Sequence, residues 1–186
     1  GYSTRQKVEQ NSKNNKSDMQ PKAIIIPVEI CQDALTNKTV RVQQVFIWLK
    51  MNCSGKIKIT PDVLKNMATD FDLKSVKTVK PYILYLLGKG WITKSKKSGY
   101  YFIKSFERIR ELEGFSKRTG AEFNIKDIKN FKGFLVGAVI SQLVSVQKKK
   151  EWLLVTERIK GRSKTVASKP HLFYPVANKV IAKIFG

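Results

Sequence analysis

From Lys74 to Lys80 the chain places a cation at every third position, Lys74, Lys77 and Lys80, with hydroxyls at Ser75 and Thr78 and a phenol at Tyr82. On a helix, a three-residue repeat drifts slowly, so the three ammonium groups stay spread across about 60° of one face. Their chemistry is recognition: lysine neutralises phosphate, and Ser, Thr and Tyr hydroxyls reach phosphate or base edges. Lys94, Lys96 and Lys97 form a second basic group, around a Lys96-Lys97-Ser98-Gly99 segment with the composition of a hairpin turn.

Residues that make or break bonds are poorly placed by comparison. His171 lies between Pro170 and Leu172 with no nucleophile or acid beside it. Cys31 and Cys53 lack CxxC spacing and, even with His171, assemble no zinc set, so they read as reduced, partly buried thiols. Asp70 and Asp72, like Glu111 and Glu113, stand two apart, a spacing that does not share a helix face. Gly161-Arg162-Ser163-Lys164-Thr165 has the end of a phosphate-binding loop but not the earlier glycine. We therefore expect no catalytic residue, no cofactor and no metal, and a binding protein in place of an enzyme.

Three helices and a hairpin must hold the two basic groups. Val42, Val45, Phe46, Leu49 and Cys53 fall at helical spacing after Thr36 or Asn37 as N-cap. Lys56 to Ile59 alternates as a short strand does. Thr60-Pro61-Asp62 then supplies an N-cap, a first-turn proline and an acid, with Leu64, Met67, Ala68 and Phe71 facing inward. A third helix is expected from Ser75, with Val76, Val79, Ile83, Leu86 and Leu87 buried, Pro81 kinking it, and Gly88 and Gly90 ending it. Segments 91–95 and 100–106 complete the hairpin. Before all of these, residues 23–30 contain Pro27 and read as an edge strand or extended arm.

The order of these elements reaches a resemblance. Ser75, Thr78, Val79, Lys80, Ile83 and Leu86, then Gly90 followed by Trp91 and Ile92, are similar to the pattern S-x-x-T-V-[RK]-x-x-L-x-x-L and G with two apolar residues found in winged helix-turn-helix regulators of bacteria and phage. The resemblance covers about 70 residues and implies a recognition helix opened by the Ser and Thr positions, a core face at the Val and Leu positions, and a glycine that turns the chain into a wing. Pro81 departs from it. Ile26-Pro27-Val28-Glu29-Ile30 followed by Leu35-Thr36-Asn37 is also similar to the start of winged-helix domains in phage and plasmid replication proteins.

Charge supports a polyanionic partner. The 186 residues carry 36 Lys and Arg against 14 Asp and Glu, a formal net charge of +22, and 42% hydrophobic residues suffice for a core. The most apolar run, 131–146, is interrupted by Lys132, Ser141, Gln142 and Ser145, which fits a buried helix and not a membrane span. Ile128, Phe131, Leu135, Ala138, Val139 and Val146 give that helix an apolar side, and Gly133 with Gly137 allows close helix approach, more often ordinary packing than a homodimer seam. Residues 107–120 read as a wing-strand continuation or a short helix. Lys148 to Lys150, Arg158, Lys160, Arg162, Lys164 and Lys169 extend the basic character around the apolar 152–155 segment, and 175–185 reads as a final helix.

The expectation is an α+β, mainly helical protein: a flexible polar tail at 1–22, a winged-helix DNA-binding domain at 23–106 and a basic helical C-terminal region at 107–186 that continues in the natural chain. Its expected partner is double-stranded DNA, contacted by Lys74, Ser75, Lys77, Thr78, Lys80, Tyr82, Lys94, Lys96 and Lys97, in the cytoplasm, without a membrane. Transcriptional control is the leading expectation. Replication initiation or mobile-element transfer is one alternative, and nucleic-acid packaging in a phage-associated structural protein is another.

Overall fold

The computed structural model describes residues 23–116, 118–160 and 182, with side chains for all of these but 151–160. The expected tail, the 161–165 segment, His171, Arg162, Lys164, Lys169 and, apart from Ala182, the expected helix at 175–185 lie outside the described residues.

The chain opens on strand β1 (Ala23–Pro27), which passes directly into helix α1 (Val28–Thr36). The expected edge strand or extended arm over 23–30 is found as a strand for Ala23–Pro27 only, and the structure corrects Val28 to Ile30, which are helical. Pro27 sits at the N-cap, where its missing N–H costs nothing, and Val28, Cys31, Ala34 and Leu35 recur at helical spacing and are buried. Helix α2 (Val40–Asn52) follows, with Thr39 at its N-cap in place of the expected Thr36 or Asn37, which close α1.

Helix α2 is the centre of the molecule. Every residue from Val42 to Leu49 is buried, including Gln43 and Gln44. Amide groups there need partners, and all but Gln43 Oε1 find one. Gln44 Nε2 donates to the Ile128 carbonyl at 2.5 Å while its Oε1 accepts from Arg41 at 2.8 Å, and Gln43 Nε2 donates to Asp33 at 3.5 Å.

Strand β2 (Lys56–Ile57) leads to helix α3 (Pro61–Asp70), whose N-cap Thr60 accepts from the Val63 N–H at 3.3 Å, as its sequence signature implies. A 3-10 turn (Val76–Thr78) then feeds helix α4 (Val79–Gly88). The expected third helix thus begins one turn later as an α-helix. Pro81 falls in the first turn of α4, where backbone N–H groups have no partner within the α-helix, so the expected kink is replaced by the junction of 3-10 and α segments.

Gly90, at φ +70°, adopts a left-handed conformation that turns the chain from α4 into strand β3 (Ile92–Lys94). Strand β4 (Tyr101–Ile103) returns antiparallel, Ile92 opposite Ile103, and β2 adds to its other edge to give the order β2-β4-β3. Phe106, expected in the second hairpin strand, instead starts helix α5 (Phe106–Glu113), because Ser105 caps it by accepting from the Arg108 N–H at 3.2 Å.

Strand β5 (Gly120–Asn124), unforeseen in a region expected to be helical, pairs antiparallel with β1, Ile26 opposite Ala121. A second 3-10 segment (Ile125–Asn130) precedes helix α6 (Phe131–Lys160), and the Lys148 to Lys150 cations and the 152–155 segment fall within that helix. Phe131, Leu135, Ala138 and Val139 are buried against the rest, whereas Val146, expected on the same side, is exposed.

One apolar cluster runs from Ile26 to Val139 through every helix and includes Trp91, which meets Phe46 edge to face at 5.1 Å. Phe123 of β5 packs edge to face on Phe131 of α6 at 5.3 Å. The architecture is α+β and mainly helical, with two small antiparallel sheets among the described residues.

Candidate nucleic-acid interface

The linker from α3 to α4 is shaped by backbone bonds that push its polar side chains outward. Asp72, at φ 55°, reverses the chain, and the Leu73 N–H donates to the Ala68 carbonyl at 2.8 Å. Leu73 and Val76 turn partly into the apolar cluster. Lys74, Ser75, Lys77 and Thr78 are consequently exposed together.

Ser75 has a structural task of its own, since its Oγ accepts from the Lys77 N–H at 3.2 Å and so closes the 3-10 turn. Its O–H remains available as a donor. Thr78 occupies the N-cap position of α4 without a side-chain capping bond, which leaves its hydroxyl to solvent. Lys80 is exposed on the first turn of α4, while Val79, Ile83 and Leu86 anchor the opposite side in the core. Tyr82 stands apart from the other candidates: it is half-buried against the apolar cluster, on the flank of the helix.

The outward arc of α4 carries other residues that the sequence reading left out. Leu84, 66% exposed, and Tyr85 lie with Lys80, Pro81 and Gly88 on the side opposite the buried one. Helical spacing from Lys80 was the signal that could have found them.

The hairpin presents the second group. Lys96 and Lys97 are exposed in its turn, which is held by Gly99 N–H to Ser95 O and Ser95 N–H to Tyr100 O, both 2.9 Å. Lys94 lies over the Tyr101 ring at 5.2 Å. Because β2 pairs with β4, Lys56 and Lys58 also arrive here, over the Tyr100 ring at 5.8 and 5.0 Å. Only the strand pairing brings them together, and sequence spacing carries no sign of it.

Between Leu73 and Phe106 the sequence holds eight lysines and no acidic residue. Two of the eight are half-buried, and one of these is ion-paired. Lys89 bridges Glu113 at 3.3 Å and Asp33 at 3.7 Å, and Trp91 Nε1 donates to the same Glu113 at 2.6 Å, which ties the end of α4 to α1 and α5. Lys104 is half-buried, and its carbonyl accepts from Lys50 at 3.0 Å. Burial pushes the Lys50 ammonium below its ordinary pKa, against the charges of Cys53 and Glu107. The other six, Lys74, Lys77, Lys80, Lys94, Lys96 and Lys97, have no ion-pair partner among the described residues.

Burial pushes the Cys31 thiol up to about 12, so it stays protonated and a poor nucleophile, and Cys53 is raised by the same cause. Among the described residues no three His, Cys, Asp or Glu side chains gather as a metal site would require. A cleft of about 450 Å³ between α2, β2 and α3 is lined by Trp48, Asn66, Thr69 and Asp70 among others, and Asp70 is already engaged by Trp48 Nε1 at 2.6 Å. No helix among the described residues is long and apolar enough to cross a membrane. No family model, curated protein or solved structure matches the chain.

Proposed function

We propose that this protein binds double-stranded DNA through a winged helix-turn-helix, with α3 and α4 as the helix pair, α4 and the 3-10 turn before it as the recognition element, and the β3–β4 hairpin as the wing. The observation that carries this reading is the coincidence of architecture and charge. The order α2, β2, α3, α4, β3, β4 with β2 closing the sheet is the arrangement a winged helix requires, and its acid-free stretch spans the two elements that would touch DNA.

A helix of this size fits the major groove. Lys74, Lys77 and Lys80 with the Ser75 and Thr78 hydroxyls supply phosphate contacts, and Lys94, Lys96 and Lys97 of the wing reach the adjacent backbone, joined by Lys56 and Lys58. The role we assign is transcriptional control in the cytoplasm. The outward arc of α4 lacks Arg, Asn and Gln, the commonest bidentate readers of guanine and adenine, which favours non-specific packaging as the second reading.

Selection of bound duplexes from a random pool at about 150 mM salt separates these readings, because non-specific phosphate binding is weakened there. An enriched short palindrome supports a dimeric regulator, and enriched repeats support the replication or mobile-element alternative. Binding without enrichment, lost steeply as salt rises, supports packaging. Absence of duplex binding at low salt refutes the proposal.

A further inference from the structure

We infer that α4 reads thymine methyl groups, with Leu84 as the residue that discriminates; the inference rests on the DNA-binding reading above. Lys80, Pro81, Leu84, Tyr85 and Gly88 share the outward arc of α4, and Leu84 stands in it 66% exposed, the barest large apolar side chain among the described residues. A leucine there gains nothing from the fold, because Val79, Ile83 and Leu86 already fill the inward side.

Its neighbours identify what can cover it. Lys80 lies one turn before it, Lys77 precedes the helix, and no acid stands anywhere between Leu73 and Phe106, so the surface around Leu84 attracts a polyanion. The major-groove edge of DNA offers one apolar group, the C5 methyl of thymine. Set against an amino group or O6, the leucine would remove water from a polar atom and replace no hydrogen bond. Set against the methyl, it buries apolar surface on both sides. Gly88 continues the arc with open space where a side chain would stand, which lets the groove floor approach the end of the helix.

The test uses the full chain and two alternating A·T duplexes of equal length at about 50 mM salt, where phosphate contacts hold any sequence. One contains thymine and the other deoxyuridine throughout, so that charge and hydrogen-bonding edges match and only the methyl differs. We expect binding to weaken about fourfold for each methyl that Leu84 covers. In Leu84→Ala, an exposed position where the fold is not at stake, the ratio should fall close to one. A G·C duplex carrying 5-methylcytosine should bind the parent protein more tightly than its unmethylated twin, since the methyl occupies the same edge. Equal affinity of the parent for the thymine and uracil duplexes overturns the inference and leaves DNA binding standing. A ratio that persists in Leu84→Ala overturns the assignment to Leu84. Failure to bind any duplex overturns the underlying reading as well.

Discussion

Neutralising Lys77 and Lys80 together, as Lys77→Gln with Lys80→Gln, should change DNA binding and almost nothing else. Both side chains are exposed and without ion-pair partners among the described residues, and glutamine has nearly the helix propensity of lysine. Folding stability should therefore move by no more than about 0.5 kcal/mol. If each lysine meets one phosphate, each loss lowers the slope of log affinity against log salt by about 0.9, hence about 1.8 for the pair. At about 100 mM salt that corresponds to roughly 60-fold weaker binding, shrinking to about three- to fourfold at about 500 mM. Anisotropy titrations of a labelled duplex across that salt range, with thermal melts of both proteins alongside, measure the slope and the fold separately. A variant that melts like the parent and keeps its salt slope would show that this face does not touch the backbone, and the reasoning from α4 would fail.

Other changes probe the scaffold. Ile83→Asp puts a charge where the parent side chain is 5% exposed, and it should destabilise the fold by on the order of 4 kcal/mol in urea denaturation. A cooperative, near-parental transition would reject the register of α4. Gly137→Ala adds a methyl into open space on α6 and should raise stability by about 1 kcal/mol, unless that face seats a second copy, in which case sedimentation will show a weakened dimer. The Cys31 thiol, raised from 9.0 to about 12, favours the folded state below about pH 9, and this contribution is lost as pH climbs toward 12. Between about pH 9 and pH 10 the loss is about 1 kcal/mol, so Cys31→Ala should flatten the alkaline decline in denaturation midpoints. Lys50, lowered by burial, acts in the opposite direction but equally in both proteins.

Local chemistry was legible in the sequence wherever a single element decides it. The Thr60 cap, the buried Val79, Ile83 and Leu86, and the glycine turn at Gly90 all follow from residues within one helix of each other. Helix α1 was hidden by Pro27, which reads as a strand limit although it also suits a helix start. Strand β5 was hidden because Gly120 to Asn124 turns just one large apolar side chain, Phe123, inward, and it is defined by a partner far away in the chain. Gln43 and Gln44 look like solvent-facing positions of an amphipathic helix. They are buried because α2 is covered on both sides, by α4 and by the 3-10 segment that offers the Ile128 carbonyl. Within the candidate site, Lys56 and Lys58 were hidden for the same long-range reason as β5, while Leu84 and Tyr85 carry no charge that would set them apart from core residues in the sequence.

The pairing of β1 with β5 also sets a timetable. A ribosome making this chain releases β1 first and must add roughly 90 further residues before its partner strand exists, a wait of about 5 to 20 s at ordinary elongation rates. Through that interval Ile26 has no sheet and the buried side of α1 has no α6 to cover it. Contacts so distant in sequence slow folding. The nascent protein therefore passes through a stage in which α3 and α4 are complete and β1 still offers an open edge, which is the stage at which a holding chaperone would matter most.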